Sequence, residues 1–178
     1  MRSLRPEEVE VRVGTVNKNG VTMLLYKNAR VDRAILDETF GQMNWQCRYS
    51  ENKGNLFCAI GVYDPQKDEW VWKEDCGTES NTEKEKGEAS DAFKRAGFRW
   101  GIGIELYNSP KITIPVGVEE VAKNTYKMKN KWELYGAYVS RMVVENGKVT
   151  ELDIAKTEYN KQTYVIWSTD KRREGMTI

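Results

Sequence analysis

Two hydrophobic rhythms follow one another in the middle of the chain. Residues 43–49 (MNWQCRY) alternate, with Trp45, Cys47 and Tyr49 on one side. Residues 56–63 (LFCAIGVY) form a continuous apolar run, and residues 69–75 (EWVWKED) place Trp70 and Trp72 on one face. Alternation and short apolar runs of this length predict strands. The segments between them, ENKGN and DPQKDE, have the length and composition of hairpin turns. An antiparallel three-strand meander is the economical reading. From residue 82 to 100 the period changes: Ala89, Phe93, Ala96 and Trp100 recur at helical spacing and make one apolar stripe. Thr82 followed by Glu85 has the form of a capping box. Gly101 and Gly103 mark the expected end of the helix.

The flanking regions are read in the same way. Pro6, Glu7 and Glu8 predict a short helix start over residues 6–14. NKNG (17–20) predicts a turn and VTMLLY (21–26) a strand. Val31, Ala34, Ile35 and Leu36 predict a helix over 30–40, stopped by Gly41. Pro110 and Pro115 break regular structure and set a seam. Beyond it, VEEVAKN is expected as a short helix, and 135–144 and 149–156 as strands flanking Asn146-Gly147, a strong hairpin signal. QTYVIW (162–167) is expected as a further strand, and DKRREGMTI as a frayed end. The expected fold is α+β: an antiparallel β-meander with a long helix packed across the sheet, plus a C-terminal β-hairpin extension. The expected division is a core at 1–110 and an extension at 111–178, packed on the core or on a neighbouring subunit.

Composition narrows the classes. The 178 residues suit about one domain. Apolar residues make up 39%, enough for a core and against global disorder. No apolar run approaches a membrane span. The opening MRSLRPEEVEVRV has acidic residues where a signal peptide needs an apolar stretch. Cys47, Cys58 and Cys76 are widely spaced, with no CxxC, and fit small core positions in a reducing cytoplasm. The absence of His from the chain argues against zinc sites and His-based triads. There is no P-loop pattern, and the glycines of GFRWGIG do not follow a strand. Asp64, Asp68, Glu69, Glu74 and Asp75 are residues of the type that holds a metal for nuclease chemistry, but in turns and at strand edges their ordinary reading is as solvated carboxylates.

The net charge is +1, but its distribution is uneven. Residues 34–83 carry 4 basic and 10 acidic residues, whereas residues 1–33 carry 7 and 4. A polyanion would therefore need a local groove rather than a global field. Three basic sets stand out. On the 82–100 helix, Lys94, Arg95 and Arg99 fall outside the apolar arc, so that face can dock while the cations face outward, the arrangement phosphate contact requires. Lys27, Arg30 and Arg33 lie beside Tyr26. In YKMKNKW (126–132), an extended chain puts Lys127, Lys129 and Lys131 opposite Tyr126, Met128 and Trp132, a pattern that suits single strands, although its plainer reading is a solvated edge strand with Lys blocking aggregation.

These residues resemble a known family. ARVDRAILDETFGQMNW (29–45), the Trp-rich strands and SDAFKRAGFRWGIG (90–103) are similar to the Rad-fifty-two single-strand annealing proteins, in particular the short phage and prophage type. The most specific elements are Phe40-Gly41 with Trp45, and Asp91 with Lys94-Arg95-Ala96; the resemblance spans roughly residues 7–105. It implies a helix, an antiparallel meander and a long helix across it. It also implies annealing of complementary single strands in DNA recombination and repair, without cofactor, ATP or metal, by a ring of identical subunits. Lys94 and Arg95 match the family's Lys-Arg pair of the inner groove, and Tyr26 its groove tyrosine. Arg12 matches an arginine before the first strand. A further family arginine falls at Phe98, with Arg99 beside it. Lys27 and Arg30 extend the expected DNA face, and Lys86 is the candidate for a second, duplex site. Implied partners are single-stranded DNA, the chain itself, and a single-strand binding protein or exonuclease of the same pathway, in the cytoplasm and away from membranes. The alternatives are a module that protects single strands without pairing them and a metal-dependent nuclease. Residues 116–178 match nothing in that family.

Overall fold

The computed structural model describes residues 1–78 and 84–178, with the side chains of all of these except 84–86. In chain order the elements are β1 (Glu10–Asn17), β2 (Gly20–Tyr26), α1 (Ala29–Phe40), β3 (Trp45–Asn52), β4 (Asn55–Asp64), β5 (Glu69–Cys76), α2 (Lys84–Arg99), β6 (Ile112–Ile114), β7 (Val118–Ala122), β8 (Thr125–Met128), β9 (Tyr138–Glu145), β10 (Lys148–Thr157) and β11 (Thr163–Ser168). The described residues form a mixed fold of two α-helices and eleven strands, and every strand pairing is antiparallel. No described helix is long and apolar enough to cross a membrane.

The chain divides into two units, with one break at 104/105, close to residue 110, and with residues 5–26 grouped with the second half. Unit 1 comprises residues 1–4 and 27–104; unit 2 comprises 5–26 and 105–178. The reason is β-pairing: β2 pairs with β6, Val21 opposite Ile114, so the N-terminal hairpin belongs with the second half of the chain.

In unit 1 the sheet order is β3-β4-β5. Cys58, Ile60 and Val62 of β4 are buried, and α1 and α2 supply Ile35, Leu36, Ala92, Phe93 and Ala96 to the same core. Phe93 is 1% exposed, so truncating it to Ala would cost about 3–5 kcal/mol. The motif that carries the family resemblance does packing work here. Phe40 meets Trp100 edge to face, with 6.1 Å between centroids. Gly41 ends α1 and donates its N–H to the Asp37 carbonyl, 2.9 Å. The Trp45 indole donates to Asp37 Oδ1, 2.6 Å, with its ring against Phe93. The capping box expected at Thr82–Glu85 lies outside the described residues.

In unit 2 the sheets are β1-β2-β6 and β9-β10-β11, with β7-β8 as a separate hairpin. The β9–β10 turn follows from sequence: Asn146 (φ 51°) and Gly147 (φ 71°) both adopt the left-handed region that a tight hairpin requires. Four expectations need correction. Residues 6–14 hold only a 3-10 turn (Pro6–Glu8) before β1, because Val9, Val11 and Val13 follow a period of two. VEEVAKN supplies strand β7 rather than a helix. The proline-flanked seam contains β6. The C-terminus is not frayed: Arg173 Nε donates to buried Asp153, 2.7 Å, and the Ile178 N–H to the Thr163 carbonyl, 3.0 Å.

Candidate nucleic-acid interface

The basic residues of unit 1 divide into a surface cluster and a buried pair. The surface cluster lies where α2 crosses β5. Strand alternation puts Val71, Lys73 and Asp75 on the helix side, opposite Val62, Ile60 and Cys58. Trp70 and Trp72 point to the other face, where Arg48 lies 4.1 Å above the Trp72 ring. On the helix side, Asp75 accepts from Arg95 (Nη2, 3.2 Å) and from Arg99 (Nε, 3.0 Å). Burial opposes ionisation of Asp75, but the Cys76 N–H and the two guanidiniums outweigh it and hold its carboxyl below the usual range. Two cations thus share one anion, and both arginines stay accessible, their side chains 41% and 62% exposed. Lys73 joins them: its ammonium donates to the Arg99 carbonyl, 3.1 Å, and lies 4.4 Å above the Trp100 ring. Lys94 sits one position before Arg95, 3.9 Å from Asp91. Asp91 also accepts from the Thr78 N–H and hydroxyl, tying α2 to the end of β5.

The buried pair is Lys27 with Asp32, and it corrects an expectation. Lys27 does not face a surface partner; it is 3% exposed. Its ammonium pairs with Asp32, donates to the Lys94 carbonyl at 3.4 Å, and lies 4.2 Å from the centre of the Phe98 ring. Asp32 is fully buried, and its Oδ2 has no hydrogen-bond partner among the described residues. Burial pushes its carboxyl up to about 6 against the opposing pull of Lys27. Two glycines make room: a Cβ at Gly97 would overlap the Asp32 carboxylate, and one at Gly103 would meet the Lys27 stem at 2.7 Å. Phe98 is a wall of this pocket.

Arg30 is exposed in the first turn of α1, whose Asn28 cap accepts from the Arg30 and Val31 N–H groups. Lys86 belongs to α2, and its side chain lies outside the described residues. Tyr26 and Arg12 belong to unit 2, where the Arg12 guanidinium lies 5.1 Å from the centre of the Tyr26 ring and pairs with Glu10. Lys73 is the one cation of the cluster that sequence reasoning missed; its alternation with Val71 and Asp75 was the available signal. Among the described residues no three His, Cys, Asp or Glu side chains are grouped to hold a metal ion.

The cysteines are not equivalent. Cys58 is buried, whereas Cys47 and Cys76 are half-buried. The Cys58 side chain, opposed by burial and helped by Arg33, brings the Cys47 thiol down to about 6.

No family model, no curated protein and no solved structure matches the chain.

Proposed function

We propose that this chain binds single-stranded DNA and pairs complementary strands, as the Rad-fifty-two-like annealing proteins do, with the cationic seam of α2 and β5 as a phosphate track. The observation that carries this reading is that Arg95 and Arg99 share the Asp75 carboxylate and stay partly exposed, with Lys73 on the Arg99 carbonyl and Lys94 beside Asp91, on a helix whose other face is packed. Excess positive charge on a rigid element supplies sequence-independent contact with phosphates. A strand held by its backbone leaves base edges open to a second strand. Pairing then supplies the driving force, about 1.4 kcal/mol of stacking per step, and requires neither ATP nor metal. The helix across a three-strand meander agrees with the family's architecture, and a ring of subunits would join the seams into a continuous path in recombination and repair.

The test is annealing of two complementary labelled oligonucleotides in EDTA, without ATP. Acceleration by wild type and its loss in Lys94→Ala with Arg95→Ala is the expected result. Unaccelerated annealing, with the single strand merely shifted on a gel, would replace this reading with strand protection. The exposed rings of Trp132 and Tyr135 favour that second reading, because stacking on aromatics shields bases.

A further inference from the structure

We propose that unit 2 carries its own contact site for single-stranded nucleic acid, in the groove between β8 and the loop that follows it. The proposal does not depend on the α2 seam. The groove has a volume of about 610 Å³ and is lined by Tyr126, Lys127, Lys129, Lys131 and Trp132, with Glu119 as its carboxylate. Trp132 and Lys131 also border an adjoining cavity of about 380 Å³ shared with Tyr135.

The local chain explains why these groups converge. The β7–β8 ladder runs one residue past β8, since the Lys129 N–H donates to the Gly117 carbonyl, 2.9 Å. Lys127 and Lys129 therefore share one strand face, about 6.6 Å apart by the strand rise. Lys127 is paired with Glu119, 3.0 Å. Lys129 and Lys131 make no ion pair among the described residues, so the groove keeps a positive excess.

The loop beyond is held in place. Asn130 Oδ1 accepts from the Trp132 N–H, 3.0 Å, and the Trp132 carbonyl accepts from the Tyr135 N–H, 3.1 Å. Lys156 donates to the Glu133 carbonyl, 2.6 Å, and Leu134 is buried as the plug of the loop. This framework leaves Trp132 61% and Tyr135 72% exposed, edge to face with centroids 5.4 Å apart. Two large rings outside, on a loop that buries its leucine, are a surface to be covered by a partner. Lysines flanking exposed rings match the chemistry of an unpaired strand, which offers phosphates to the cations and free base faces to the rings. A duplex keeps its base faces stacked and lacks that second contact.

The test uses the full chain with labelled oligo(dT) followed by fluorescence anisotropy. A 5-bromouracil oligonucleotide cross-linked by ultraviolet light and mapped by mass spectrometry reports position without mutation. Cross-links within residues 126–135 are expected, as is a loss of affinity of about ten-fold or more in W132A/Y135A. Lys129→Glu with Lys131→Glu should weaken binding further at low salt than at high salt. Wild-type affinity in W132A/Y135A, or cross-links that fall only elsewhere, would overturn the proposal. So would equal use of the groove by duplex DNA, or its occupation by an acidic aromatic peptide but not by oligo(dT). K94A/R95A/R99A separates the two sites: it should leave the 126–135 cross-link in place, and its failure to weaken binding would count against the α2 seam alone.

Discussion

Unit 1 contains two sets of cations facing carboxylates, and they are opposites. At the α2–β5 seam, Arg95 and Arg99 share Asp75 and remain at the surface. Beneath the same helix, Lys27 meets Asp32 with both side chains sealed from solvent. In the first, one carboxylate holds two guanidiniums that stay partly exposed. In the second, charge is consumed within the fold: the ammonium joins α1 to the backbone of α2 at Lys94. A buried pair of this kind contributes little net stability but is expensive to break, whereas an exposed pair is cheap in both respects. A basic residue next to a proposed DNA face is therefore not evidence of contact until its burial is known.

The largest effect should come from breaking the buried pair on one side. Lys27→Ala strands the Asp32 carboxylate and is expected to cost about 3–5 kcal/mol in urea unfolding. Replacing both partners, K27M/D32L, should cost about 1 kcal/mol or less, because no charge is left unpaired. Equal losses in the two variants would mean that packing, not charge, explains the site.

A smaller, pH-dependent effect belongs to Asp32 alone. Its carboxyl is raised from 3.8 to about 6, so the folded state holds the proton more tightly than the unfolded chain. That contribution is fully present below about pH 4 and is lost as pH rises through about 6. Relative to Asp32→Asn, wild type should lose on the order of 2–3 kcal/mol across this window. Parallel stability curves for the two proteins between pH 4 and 7 would contradict the assignment.

The smallest effect on stability, and the sharpest on function, is expected at Asp75. Asp75→Asn removes an anion shared by two accessible arginines, so folding should change by about 1 kcal/mol or less. Affinity for oligo(dT) should rise a few-fold, with a steeper salt dependence, as the exposed Arg99 guanidinium loses its carboxylate partner. Weaker binding in Asp75→Asn would show that the carboxylate positions the arginines rather than restraining them.

The difference between the two sets also marks what the sequence could reveal. The alternation of 43–49 and 69–75 with the apolar run 56–63 between them, the Asn146-Gly147 turn and the Ala89–Trp100 stripe are local signals, and each corresponds to an element. Val118 and Val121 share the spacing of a helix face, and only pairing with β8 makes that segment a strand. The β2–β6 pairing joins residues some ninety apart, which is why the expected division near residue 110 missed it. The seam was half legible: the wheel put Arg95 and Arg99 outside the apolar arc, but their shared partner comes from β5. The burial of Lys27 was not legible at all, because Asp32, Gly97, Phe98 and Gly103 make its pocket from three separate parts of the chain.

The most direct test of the central claim pairs two readings on one variant, Lys94→Ala with Arg95→Ala. Anisotropy with oligo(dT) measures the phosphate track, and urea unfolding measures the fold. The expected result is at least about ten-fold weaker binding with little change in the unfolding midpoint, since neither side chain is part of the core. Wild-type affinity in a folded variant would contradict the account and move the DNA contact away from α2.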